Sequence, residues 1–228
     1  MGHLSENLEE IELRIDASCT SASRKRAEVL LIAVSKTKPL PLLEEAYACG
    51  IRDFGENRVQ ELAQKALSLP QDIRWHMIGH LQKNKVKTAV RHAYMIHSVD
   101  SLSLAQTISD EAVKQSKTVS ILLEVNVAGE ESKFGYSPSE ALTDISQIAT
   151  LPNLRIKGLM TIAPFTEVPE TNRDYFRQLK ELAVDIRNKN IDNVDMDVLS
   201  MGMSGDFQVA IEEGATMIRV GTSIFGER

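Results

Sequence analysis

The hydrophobic positions at the start of the chain follow the period of an α-helix. Leu4, Leu8, Ile11 and Ile15 fall on one helical face, and polar residues, many of them glutamate, occupy most other positions. A stretch rich in serine, lysine and arginine comes next. This pattern predicts an N-terminal helix and linker over residues 1–23, in addition to the elements of the main fold.

From residue 28 onwards, short apolar runs alternate with longer amphipathic segments. The runs are largely uninterrupted, which is typical of parallel strands that are covered on both faces. They comprise residues 29–35, 51–54, 73–78, 94–99, 119–127, 154–162, 196–201 and 217–220.

Local signals mark helices between these runs. Pro39 and Gly50 bound one helix, and Ser137 and Glu140 form a capping box at the start of another. Repeated strand–helix units predict an α/β protein with a (β/α)8 TIM barrel, whose typical size is about 250 residues. A doubly wound open sheet is the competing fold, but no GxGxxG turn follows the first run. We therefore expect a single domain over residues 1–228, in which the barrel takes up residues 28–228.

Composition and charge narrow the classes of function. The chain has 26 lysine and arginine residues against 32 aspartate and glutamate residues, a net charge of −6, which argues against nucleic acid as a partner. Its two cysteines, Cys19 and Cys49, form no CxxC pair, and Cys49 is expected in the core. A polar, acidic start and the lack of an apolar run of roughly 20 residues predict a cytoplasmic protein that does not enter membranes.

The candidate chemistry lies where the predicted strands end, because TIM barrels place their active sites there. Lys36 follows the first run, where a lysine that loses hydration can form a Schiff base, although a solvated lysine fits the position too. Lys38 lies two residues further on, and spacing does not choose between the two lysines. The other strand-end residues are Glu56, Asn57, His80, Ser98, Asn126, Met160, Thr161 and residues 200–204 and 219–222.

The loops after the last two strands suggest an anion site. Gly221 allows a close backbone approach, and Ser204 and Thr222 add hydroxyl donors in the place where barrels frequently bind phosphate. Two tight turns that merely use glycine would explain the same residues. Arg219, within an apolar run, either faces the barrel mouth or pairs with a carboxylate.

The histidines do not suggest a metal centre. His76 and His80 are four residues apart but lack the glutamate of an HExxH motif, so a zinc site is not expected. His92 and His97 are expected at the surface rather than as metal ligands.

Seven stretches of the chain carry a more specific signal. They read AVSKTK at 33–38, FGENRVQE at 54–61, WHMIGHLQKNK at 75–85, SKFG at 132–135, GLMTIAP at 158–164, LSMGMSGD at 199–206 and IRVGTSIFG at 218–226. With these stretches the chain resembles the YggS/PROSC family of pyridoxal phosphate homeostasis proteins, which are relatives of the barrel domain of alanine racemase. The match runs from Leu4 to Arg228, and no cofactor position departs from the family pattern.

The resemblance implies a pyridoxal phosphate (PLP) barrel of fold type III. It implies that Lys36, rather than Lys38, carries PLP as a Schiff base, and that Arg219 faces the pyridine nitrogen. The other cofactor-binding residues that it implies are Asn57, His80, Met201, Ser204, Gly221 and Thr222.

The chemistry that these residues permit favours a carrier over an enzyme. Racemisation needs an acid/base group on each face of the substrate; in alanine racemase the second is a tyrosine from an additional domain, which we do not expect here. A permanently cationic Arg219 also disfavours protonation of the pyridine nitrogen and so weakens the cofactor as an electron sink. We expect a monomer, without catalytic or metal-binding residues, that buffers PLP or delivers it to apo-enzymes. Its effects on amino-acid and keto-acid metabolism would be indirect.

Two enzymatic alternatives remain open. One is a weak PLP-dependent racemase or related enzyme of unknown substrate. The other is a phosphate-binding aldolase that uses Lys36 on a sugar carbonyl, which the extent of the family resemblance disfavours.

Overall fold

Parallel strands form a closed barrel in the computed structural model, which describes residues 3–227. The strands are β1 Leu30–Val34, β2 Asp53–Glu56, β3 Arg74–Met77, β4 Met95–Val99, β5 Val119–Glu124, β6 Leu154–Met160, β7 Val194–Met203 and β8 Met217–Val220. Each strand pairs with its neighbour in sequence, and β1 pairs with β8 from Leu30↔Met217 to Ala33↔Val220. This closure confirms the predicted TIM barrel and excludes the open sheet.

Helices cover the outside of the barrel. They are α1 His3–Ser21, α2 Leu40–Ala48, α3 Val59–Ser68, α4 Val86–His92, α5 Leu102–Lys114, α6 Pro138–Ala149, α7 Arg173–Asn188, α8 Phe207–Glu212 and α9 Thr222–Phe225. The predicted local signals are present, because Ser137 and Glu140 form the capping box of α6 and Gly50 follows α2 with a φ of +97°. No helix within residues 3–227 is long and apolar enough to cross a membrane.

The N-terminal helix packs against the end of the barrel sequence. Ile11 and Ile15 of α1 are buried, and α1 contacts α8 and α9. Asn7 donates a hydrogen bond to the carbonyl oxygen of Ile224 (3.0 Å). Arg24, just after α1, donates to the carbonyl oxygens of Ile211 and Ala215, both at 2.8 Å. The predicted extra helix is thus part of the packed molecule.

Two layers of apolar side chains make up the core. The larger lies between the sheet and the helices, and a small separate cluster of Met95, Leu122 and Met160 lies inside the barrel. His97, two residues from Met95 on β4, therefore also points inwards and is completely buried. The expectation of a surface position was wrong for His97, because its inward polar atoms find buried hydrogen-bond partners. Cys49 was also placed wrongly: it caps α2 and is exposed rather than in the core.

Candidate functional site

A cavity of about 430 Å³ opens at the carboxyl ends of the strands. The loops after β1, β2, β3, β6, β7 and β8 contribute to its wall, which also carries apolar side chains such as Ile78, Ile162 and Phe165. Six of the predicted site residues line this cavity. They are Lys36, Asn57, Ser204, Arg219, Gly221 and Thr222.

The structure separates the two lysines that spacing alone leaves equivalent. Lys36 is half-buried on the cavity wall, directly after β1. Lys38 lines the same cavity, but its ammonium donates hydrogen bonds to three successive backbone carbonyls at the end of α9, at 2.9–3.1 Å from Phe225, Gly226 and Glu227. Lys38 therefore anchors the segment after α9, and Lys36 is the better candidate for chemistry in the cavity.

The loops after β7 and β8 are tied together next to the β1 loop. The Ser204 hydroxyl accepts a hydrogen bond from the Gly221 N–H (3.2 Å), which brings the two predicted anion-binding loops into contact. A Cβ at Gly221 would lie 3.2 Å from both the Cβ and the carbonyl oxygen of Val34, so this loop packs closely on β1. The nearby Asp206 carboxylate faces the loop interior, where it accepts the Met203 N–H (2.6 Å) and the Asn172 side-chain amide (2.8 Å).

Arg219 faces the cavity rather than a carboxylate. Its guanidinium donates to the Ser200 hydroxyl (2.7 Å) and to the Thr161 carbonyl oxygen (2.8 Å), and the residue is only 4% exposed. Burial lowers the pKa of Arg219 to about 10, against the opposing charges of Asp206 and Glu124. Arg219 is therefore a cation at neutral pH, and the two groups that accept its hydrogen bonds, the Ser200 hydroxyl and the Thr161 carbonyl, are both neutral.

Close backbone packing holds Asn57 at the cavity wall. A Cβ at Gly79, in the loop after β3, would lie 2.5 Å from the Asn57 carbonyl oxygen. Only glycine permits this approach without displacing the loop after β2.

His80 and Met201 lie outside the main cavity. His80 lines an adjoining pocket of about 160 Å³, where its ring stacks on Phe134 with centroids 3.7 Å apart and its Nδ1 lies 3.2 Å from Asp100. Met201 is completely buried between the sheet and the helices and does not line either pocket, contrary to the expected position. The pleat of β7 explains this, because neighbouring residues point to opposite faces and Ser200 takes the inward one.

Glu56, the strand-end carboxylate of β2, is directed away from the cavity. It is completely buried, and its Oε1 accepts hydrogen bonds from the Ser35 hydroxyl (2.6 Å) and the Lys65 ammonium (2.7 Å). The same ammonium donates to the Ser35 carbonyl oxygen at 2.8 Å. Glu56 and Lys65 thus hold Ser35, the residue before Lys36, in place through hydrogen bonds to its hydroxyl and its carbonyl oxygen.

Glu124 is a site residue that sequence reasoning missed. It ends β5, lines the pocket that adjoins the main cavity and is 7% exposed. Burial and the nearby charge of Asp100 raise the pKa of Glu124 to about 7, although Arg219 acts in the opposite direction. Glu124 was missed because residues 119–127 were interpreted as a single strand. Its charge within an apolar run was the signal that could have identified it.

The comparisons with known proteins agree with this geometry. Residues 7–228 match the family described as "Alanine racemase, N-terminal domain". A pyridoxal phosphate homeostasis protein of Aquifex aeolicus is 45% identical over 224 residues, which cover 98% of this chain and 97% of that protein. PipY of Synechococcus elongatus, in its structure with PLP bound, has a TM-score of 0.83 at 36% identity, covering 98% of this chain and 100% of PipY.

A more distant match defines the fold alone. An alanine racemase of Clostridium difficile has a TM-score of 0.77 at 13% identity, and the match covers 99% of this chain and 56% of the racemase. The family match and the full-length relatives show that the chain belongs to the alanine racemase N-terminal domain family and, within it, to the pyridoxal phosphate homeostasis proteins.

Proposed function

We propose that this protein binds PLP reversibly through Lys36 and serves PLP homeostasis, as a carrier or buffer. The observation that carries the proposal is the common cavity of Lys36, Arg219 and the tied loops of Ser204 and Gly221, in a chain related to PipY, whose structure holds PLP.

The residues of the cavity fit the chemical groups of PLP. Lys36 offers a primary amine to the aldehyde, and the hydroxyls of Ser204 and Thr222 are suitable donors to the phosphate. Apolar side chains such as Ile78 are suited to the faces of the ring. When bound, PLP supplies a ring that can accept electrons from a substrate carbanion. If Arg219 faced the ring nitrogen as a cationic donor, it would favour the unprotonated form of that nitrogen and so moderate this capacity.

Reductive trapping tests the role of Lys36. Borohydride treatment of the protein loaded with PLP should fix the label on Lys36, which fragmentation of the peptide that contains both lysines will locate. Lys36→Ala should lose this label, and the matched variant Lys38→Ala should retain it on Lys36. A wild-type label that maps to another lysine would contradict the proposal.

A second candidate function, a weak PLP-dependent enzyme, has one observation in its favour. Glu124 changes protonation near neutral pH and lies beside the cavity, so it could serve as an acid/base group. Amino acids incubated in deuterated water with the loaded protein distinguish the two functions. Washout of the α-hydrogen that Lys36→Ala and Glu124→Gln abolish would support the enzyme; transfer of PLP to an apo-enzyme without washout would support the carrier.

We further propose that the protein works as a cytoplasmic monomer and that PLP-dependent apo-enzymes receive its PLP. Sedimentation equilibrium of the loaded and unloaded protein will test the monomer, and a stable dimer in either state would contradict it.

A further inference from the structure

A chain of buried hydrogen bonds crosses the barrel from the end where the strands begin to the cavity at the end where they finish. It begins at Asp53, the first residue of β2, whose Oδ1 lies 3.0 Å from His76 Nε2. His76 Nδ1 lies 2.9 Å from His97 Nε2, and His97 Nδ1 lies 2.9 Å from the Ser200 hydroxyl. Arg219 completes this chain of hydrogen bonds through its bond to Ser200. Every member is buried, and the largest exposed fraction is 4%.

Asp53 fixes the direction of these hydrogen bonds. Burial opposes ionisation of Asp53, but hydrogen bonds from His76 and Arg74 outweigh it and hold the pKa of the carboxyl below its usual range. An ionised carboxylate only accepts hydrogen bonds, so His76 Nε2 carries the proton that faces Asp53. Neutral His76 then accepts at Nδ1, so His97 Nε2 must donate to it.

The same reasoning determines to which neighbour the Ser200 hydroxyl donates and from which it accepts. With its proton on Nε2, neutral His97 accepts at Nδ1, so the Ser200 hydroxyl donates its proton to His97. The lone pairs of Ser200 are then available to Arg219, which can only donate. Burial, with the charge of Arg219 acting in the same direction, lowers the pKa of His97 well below its usual range, in keeping with a neutral ring.

The opposite direction leaves one proton without a partner. If His76 were a cation, it would donate to His97, and His97 would donate to Ser200. The Ser200 hydroxyl would then need a further acceptor, but within residues 3–227 its only hydrogen-bond partners are His97 and Arg219.

We propose that His76, His97 and Ser200 are positioning residues for Arg219. They form a relay with a single direction, which keeps Ser200 as an acceptor and holds the guanidinium at the cavity wall. The effect on PLP rests on the proposed function, whereas the direction of these hydrogen bonds does not depend on whether the protein binds PLP.

Histidine tautomers in the protein without PLP test the relay directly. Two-bond ¹H–¹⁵N correlation spectra of labelled protein should show His76 and His97 as neutral rings with the proton on Nε2. A proton on Nδ1 of His97, or a doubly protonated His76, would overturn the relay. Because no cofactor is present, this result is independent of whether the protein binds PLP.

A matched pair of substitutions tests the effect on Arg219. The side-chain amide of asparagine occupies the place of a histidine Nδ1, and that of glutamine the place of Nε2. His97→Asn therefore keeps the partner of Ser200, whereas His97→Gln keeps only the partner of His76. We expect His97→Gln and Ser200→Ala to shift the absorption maximum of bound PLP and release it about fivefold faster, the effect of losing roughly one hydrogen bond. His97→Asn should match the wild type in both readouts.

Thermal unfolding of the PLP-free variants separates this role from a purely structural one. Equal changes in absorption and release for His97→Asn and His97→Gln, at equal thermal stability, would overturn the positioning role even if the tautomers are as inferred.

Discussion

Lys65 extends from α3 beneath the β1 loop to pair with Glu56. The Lys65 side chain is 9% exposed and that of Glu56 is completely buried, so both charges are removed from water. Burial raises the pKa of Glu56, whereas hydrogen bonds from Lys65 and Ser35 act to lower it. A buried pair of this kind adds little net stability, but loss of one partner is costly because the other charge is left alone.

Lys65→Met should therefore destabilise the protein strongly. We expect a loss of about 3–5 kcal/mol in the free energy of unfolding, measured with urea near neutral pH. The double variant Lys65→Met/Glu56→Gln removes the unpaired charge and should recover part of that loss. A double variant that is no more stable than Lys65→Met alone would show that the pair is not coupled.

The raised pKa of Glu124 makes stability depend on pH. A carboxyl whose pKa rises from 4.5 to about 7 on folding stabilises the protein fully below the unfolded value, and this contribution is lost as the pH rises through about 7. Glu124→Gln keeps the shape of the side chain without the charge. It should be more stable than the wild type at about pH 8, by up to about 3 kcal/mol, and the advantage should fade on acidification.

Urea unfolding of both proteins across this pH range provides the measurement. Glu131→Gln, at an exposed carboxylate, is the control and should show no such dependence. A constant difference between wild type and Glu124→Gln at all pH values would show that Glu124 is not perturbed.

Among the elements, α1 allows a direct test of whether the N-terminal helix shares the hydrophobic core. Ile11 is 2% exposed on the face that contacts α8 and α9, whereas Leu13 is 71% exposed on the same helix. Ile11→Ala should cost about 2–5 kcal/mol through lost burial and a cavity, and Leu13→Ala should change stability by less than about 0.5 kcal/mol. Equal effects in urea unfolding would mean that α1 does not share the core.

The helices and strands could be predicted well from the sequence because hydropathy patterns and capping signals are local properties of the chain. The run at 217–220 and the capping box at Ser137 need only neighbouring residues to be recognised, and both match the structure. The direction in which a side chain points from a strand depends on the register of the whole barrel. For that reason the inward position of His97 and the outward one of Met201 did not follow from the sequence. The carbonyl groups that Lys38 binds lie at the far end of the chain, so this contact could not be predicted from the sequence either.

At the scale of the whole molecule, Lys38 fastens the segment after α9 to the β1 loop. Lys38→Met should remove three hydrogen bonds from an ammonium while Lys36 remains in place. We expect faster amide hydrogen exchange over residues 222–227, with unchanged borohydride labelling of Lys36. Unchanged exchange would show that the other contacts of α9, among them the hydrogen bond from Asn7 to Ile224, are sufficient to hold it.

The pairing of β1 with β8 also constrains the order of events during synthesis. Lys36 leaves the ribosome early, but the loops of Ser204 and Gly221 follow only after most of the barrel has been made, and the two come together when β1 and β8 pair. A nascent chain thus carries Lys36 long before it has the loops of Ser204 and Gly221. If Lys36 and these two loops bind PLP together, as proposed, stable PLP occupancy would mark a chain whose barrel has already closed.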